Sequence, residues 1–171
     1  MNVHGAPSPG QPSPKPTERT SVRWRAPVLA GAAAFWLANL TISVTPVAAA
    51  YRSALGIAYL PMLLEAAVGA LVLGVAVAFV LVRYPSRIPG ASPLTKSVLL
   101  GTAAIVLVTV GLELPAKLSS GVADPTHWLV VATVFNVIRI LALAVTIGLV
   151  AGRGGPRRSP HRRPTRTETR T

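Results

Sequence analysis

The chain has 171 residues, 51% of them apolar, a formal net charge of +12 and no cysteine. The missing cysteine excludes disulfides, thiol nucleophiles, Fe–S clusters and cysteine-ligated zinc. Long uncharged blocks separated by short polar gaps point to the membrane class, where the positions of the charges say more than their sum.

In residues 1–25, Pro7, Pro9, Pro12, Pro14 and Pro16 stand among Ser, Gly, Gln and Thr. With little apolar surface to bury, this stretch is expected to be a disordered cytoplasmic tail with polyproline II character. Arg19, Arg23, Trp24 and Arg25 mark the approach to a membrane face, where arginine and tryptophan anchor helices. The membrane domain is expected over 26–151. Its first span is read over 27–47, bent by Pro46 or extended through it to Tyr51. Ala26, Ala30, Ala34 and Ala38 recur at the four-residue spacing that lets helix backbones approach in lipid. A competing reading takes residues 19–50 as a signal peptide cut after Ala49 or Ala50, but the apolar run exceeds the usual length of about 7 to 15 residues.

A short connection over 48–58 leads to a second span, 59–82. This span carries Glu65 and a second small-residue row, Ala66, Ala70, Gly74 and Ala78. Pro85, Pro89 and Gly90 stop it in a tight basic loop. A third span is read over 93–114, with Ser92 as N-cap and Pro93 at the first helical position, where a missing N–H costs nothing. Thr102, Val106, Thr109 and Glu113 share one face of it, and Pro115 is expected to close it. After a polar connection over 115–127, Asp124-Pro125 sets up the fourth span, 128–151. At 1.5 Å per residue that span is roughly 36 Å long, enough to cross a hydrocarbon core of about 30 Å. Residues 152–171 form an arginine-rich segment that cannot build a core and is expected to be a disordered cytoplasmic tail. It reads as a solvated orientation signal or as a lipid-adherent segment. In the second case Arg153, Arg157, Arg158, Arg162 and Arg163 contact anionic head groups at about 1 kcal/mol each. Nucleic acid is disfavoured as a partner, because the charge sits beside a span.

The fold class expected from this pattern is all-α: a four-transmembrane-helix bundle with disordered N- and C-terminal tails. Fourteen lysines and arginines fall on the side of the termini and the 83–96 loop, and only Arg52 and Lys117 on the other. That bias predicts a multi-pass protein of the inner membrane with both termini in the cytoplasm.

Arg139 is the one basic residue left inside a span, where insertion costs about 2.5 to 3.5 kcal/mol, so it requires a partner or a wet cavity. Axial depth at 1.5 Å per residue groups it in the outer half with Asn39, Glu65 and Asn136. Helical side chains lean toward their own N-terminus, which directs Arg139 outward, toward Glu65. Asn136, three residues earlier, shares its face. A desolvated Arg139–Glu65 bond would explain how the arginine is tolerated. The pair could fix the register of the bundle, or the cluster could handle a proton, ion or ligand.

His4, His127 and His161 are too scattered to form a metal set, and no phosphate loop or nucleophile elbow occurs. No enzyme activity and no cofactor are expected. The segment Ile88-Pro89-Gly90-Ala91-Ser92-Pro93-Leu94-Thr95-Lys96, with Gly101 following, resembles the central loop of small four-span bacterial membrane proteins that have no assigned activity. The resemblance implies the layout and carries no catalytic residue with it. Two roles fit the residues. One is a non-enzymatic scaffold or accessory subunit, with the lipid bilayer around it, that self-associates or docks on a membrane-protein partner through its small-residue faces. The other is a small oligomeric transporter or channel using the outer-half cluster of Asn39, Glu65, Asn136 and Arg139.

Overall fold

In lipid, a backbone segment can satisfy its polar groups internally only as a helix or a closed barrel, and the apolar blocks of this chain take the first course. The computed structural model describes residues 16–153. Its elements are α1 (Pro16–Ser43), α2 (Pro46–Leu55), α3 (Tyr59–Arg83), α4 (Pro93–Val108), a π-turn (Thr109–Glu113), α5 (Leu114–Ser119) and α6 (Pro125–Arg153). Four segments are long and apolar enough to cross a membrane: Trp24–Ser43, Tyr59–Arg83, Pro93–Ser119 and Pro125–Arg153. The expected four-helix membrane bundle is therefore present. Expectations for residues 1–15 and 154–171, including those for Arg157, Arg158, Arg162 and Arg163, lie outside the described residues. Arg153 is exposed at the end of α6.

Helix α6 begins at Pro125 rather than 128 and ends at Arg153 rather than 151, and the boundaries differ more widely from expectation at three other places. Helix α1 starts at Pro16 rather than near residue 27, which turns residues 16–25 from expected tail into helix. At its other end it stops at Ser43, because Pro46 has no N–H to continue the ladder. Thr45 takes over: its N–H and its hydroxyl both donate to the Ile42 carbonyl, at 2.9 and 2.7 Å. The same hydroxyl oxygen accepts from Ala48 N–H at 3.2 Å and caps α2. The 48–58 connection is thus mostly a helix, ended by Gly56 in the left-handed region at φ 64°.

The third difference lies beyond Val108. Pro115 does not end the helix. In an α-helix its ring would strike the Gly111 carbonyl. The helix instead widens into the π-turn, where Leu114 N–H reaches back five residues to the Thr109 carbonyl, and continues through Pro115 to Ser119.

Helix α6 is the hub, with Leu143, Ala144 and Ile147 fully buried between α1 and α4. The expected small-residue row of α3 is used: Ala70, Gly74 and Ala78 are buried, and a Cβ added at Gly74 would stand 3.3 Å from the Val28 carbonyl of α1. The alanine row of α1 flanks its buried face, which consists of Pro27, Val28, Gly31, Ala32, Phe35, Asn39 and Ser43. Helix α4 seats against α6 through Gly101 and the buried Ser97, whose hydroxyl donates to the Ala144 carbonyl. Around the ring, α3 packs extensively on α1, α1 on α6 and α6 on α4, while the seam between α3 and α4 is sparse. Those two helices are tied at the end where the loop 84–92 joins them. There Ser92 caps α4 as expected, accepting from Thr95 N–H at 3.1 Å.

Candidate functional site

At the end of the bundle away from the loop 84–92, the sparse seam opens into a cavity of about 540 Å³. Its back wall is α1 and α6, its sides are α3 and the π-turn with α5, and α2 roofs it with Ala48, Tyr51 and Arg52. Tyr51 is wedged in place by edge-on contacts with Trp128 and Phe135, each 5.9 Å between ring centroids. Burial pushes its phenol above the ordinary value of 10.0, with the Lys117 ammonium opposing part of the shift. Arg52 ties the roof to α1 by donating to the Ser43 carbonyl at 2.9 Å, and it lies 5.0 Å from the Tyr59 ring centroid. The floor is closed by Phe35, Leu73, Val108 and Ile140.

Arg139 lies against the back wall, its guanidinium carbon 5.6 Å from the Phe35 ring centroid. Its Nε–H donates to the Phe135 carbonyl at 3.1 Å, one terminal N–H to Asn39 Oδ1 at 2.8 Å, and the other terminal nitrogen to Asn136 Oδ1 at 2.6 Å. Asn136 then passes the polarity on, its amide N–H donating to Glu113 Oε1 at 3.2 Å. The second oxygen of Glu113 pairs with Lys117 at 3.2 Å. The cluster is therefore a relay, cation to amide to carboxylate to cation, in which each bond polarises the next.

Three of the four expected cluster residues, Asn39, Asn136 and Arg139, do come together. Glu65 does not join them. It faces the rim of the cavity and is exposed, and the only ion pair among the described residues is Lys117–Glu113. The expected Arg139–Glu65 bond is thus replaced by Arg139–Asn136–Glu113. Depth alone misassigned the partner, because azimuth decides as well: Glu65 lies roughly 140° around α3 from the buried Ala70, at 100° per residue.

The residues missed at first, Glu113, Lys117 and Tyr51, are brought in by the two irregular elements. Without the π-turn, Glu113 would stack over Val106, which is 58% exposed toward the lipid side. The extra residue rotates everything beyond it by about 100°. Glu113 and Lys117 consequently turn inward, to 21% and 7% exposure. A readable signal existed in the i,i+4 spacing of Glu113 and Lys117 across a proline within an apolar run.

Asn39 is 3% exposed, and its amide nitrogen has no hydrogen-bond partner among the described residues. Its orientation is set by Arg139, which can only donate and so must face the amide oxygen. Arg139 itself uses three of the five N–H groups an arginine carries. No group of three or more metal-ligating side chains occurs among the described residues.

Four spans, with a largely apolar cavity that carries a polar cluster in one half of the bundle, define a multi-pass integral membrane protein. No protein-family model, curated protein or solved structure matches the chain.

Proposed function

We propose that this chain is a non-enzymatic accessory protein of the cell inner membrane, with both termini in the cytoplasm, that holds a small ligand in the cavity of its outer half. The observation that carries this reading is the Arg139 guanidinium on the wall of that cavity, with two N–H groups free of protein acceptors. A cluster that served only to fix helix register would be expected to satisfy its own buried donors. The excess of basic residues at the termini and in the 83–96 loop supports the cytoplasmic placement of that side.

A conduction path finds less support. Below the floor, Leu143, Ala144 and Ile147 are 0% exposed and Gly101 and Gly148 are in close contact with neighbouring helices, so the cavity is blind. Docking through the small-residue faces is likewise weakened, because the α3 row is spent on α1 within the chain. Native mass spectrometry of the full chain released from its own membrane tests the proposal. A non-protein mass retained at one per chain is expected. Bare chains, or chains carrying only another protein, would overturn it in favour of a scaffold.

A further inference from the structure

The cavity has two chemically distinct parts. Deep in the wall, two N–H groups of the Arg139 guanidinium are free of protein acceptors, while the unpartnered Asn39 amide nitrogen beside it is sealed from the cavity. A guanidinium with two N–H groups free is a recognition site for an oxygen anion, which can accept from both at once and match its charge. The lining as a whole carries three cations, Arg52, Lys117 and Arg139, against two carboxylates, Glu65 and Glu113. One of those carboxylates is already engaged by Lys117.

Apart from these charged groups and Asn39, Ser43, Tyr51 and Asn136, the lining is apolar. Helix α2 roofs the end that faces water, and the floor is closed. The large apolar lining side chains that are exposed, Val72 at 62% and Leu112 at 67%, flank the gap between α3 and the π-turn. That gap faces the hydrocarbon of the outer half of the bilayer. A ligand would therefore pass between Val72 and Leu112, and a molecule that partitions into lipid is the kind that arrives there.

Resting on the binding role proposed above, we infer that the ligand is an amphiphile with an oxyanion head, a carboxylate or phosphate on an apolar chain, taken laterally from the outer leaflet. The head seats on Arg139, which Asn39 holds in place through its amide oxygen. The chain lies along Leu73, Val72 and Leu112 and leaves through the seam. Glu65, exposed at the rim, takes no part in holding the head.

The test uses the full chain in nanodiscs of a zwitterionic lipid, with four probes: dodecanoate, dodecyl phosphate, dodecanol and free inorganic phosphate. Saturable binding of one or both anionic amphiphiles is expected, at least 10-fold tighter than that of dodecanol or free phosphate. Asn39→Leu should weaken it at least 10-fold, and Glu65→Gln should change it less than twofold. Because Asn39→Leu could disturb the bundle, Val72→Trp provides an independent variant. It adds bulk at an exposed seam position, should leave the thermal melt unchanged, and should weaken amphiphile binding at least 10-fold.

Equal binding of dodecanol would overturn the anionic head. Equal binding of free phosphate would overturn the apolar chain. Full binding by a folded Val72→Trp chain would overturn lateral access. If no probe binds while the native chain still carries a retained small mass, the ligand class is wrong and the binding role stands. If no mass is retained either, both are wrong.

Discussion

An arginine inside a membrane span is tolerated here without a carboxylate in direct contact. Arg139 spreads its charge over two amide oxygens and a backbone carbonyl, and Asn136 relays it to Glu113. Glu113, not Glu65, is therefore the carboxylate on which the cluster depends. Glu113→Gln would place an amide N–H against the Lys117 ammonium or the Asn136 amide, two donors facing each other. It should cost about 1–3 kcal/mol of stability, as for a buried polar group deprived of its partner. Glu65→Gln, at an exposed rim position, should stay within about 0.5 kcal/mol. Folded fraction against denaturant in detergent compares the two, and equal losses would contradict the relay. By the same reasoning, adding Glu65→Leu to Arg139→Leu should give no rescue, since sites that do not touch add independently.

At the scale of elements, two irregularities make the site. The π-turn converts a proline that should end a helix into a rotation that brings Glu113 and Lys117 inward. Deleting Gly111, which is exposed and has nothing within 4 Å of an added Cβ, should restore α-helical register and turn Lys117 outward. Lys117 is 7% exposed in the native chain, so amine-reactive labelling read by mass spectrometry should rise strongly in the deletion. Continued protection would mean that the turn does not set the register. The regular parts depend instead on close approach. An added Cβ would stand 2.7 Å from the Leu94 backbone at Gly148 and 2.6 Å from the Ala144 Cβ at Gly101. Gly148→Ala and Gly101→Ala should each cost about 1–3 kcal/mol through overpacking. Gly69→Ala, in open space, should be neutral or gain up to about 1 kcal/mol of helix propensity. Thermal melts of the three variants check the ordering.

For the whole molecule, the asymmetry between halves is the feature on which the proposed function rests. One half is close-packed around Leu143 and Ile147, and the other is splayed at the α3–α4 seam beneath a helical roof. The proposed orientation, argued from charge bias, has the splayed half outside. A reporter fused after Thr171 should therefore report the cytoplasm, and an extracytoplasmic tail would reverse every statement about leaflets.

Much of this architecture was legible in the residues. Four apolar runs of spanning length, Ser92-Pro93 at a helix start, and the Ala70, Gly74 and Ala78 row each follow from local rules that need no knowledge of neighbours. Hydropathy and capping act along one chain segment at a time, so the sequence by itself determined the number of spans, their order and most of their ends. Asn39, Asn136 and Arg139 could be grouped because depth is also a property of a single helix. Which carboxylate serves Arg139 could not, because that depends on azimuth, and azimuth was reset by a π-turn whose alternative, a helix ended at Pro115, is equally plausible locally. The tertiary structure alone decided that Thr45 and Pro46 begin a roof, that Glu113 replaces Glu65, and that the Asn39 amide nitrogen is buried without a partner. Each is the outcome of helices competing for the same contacts, a competition that no single segment contains.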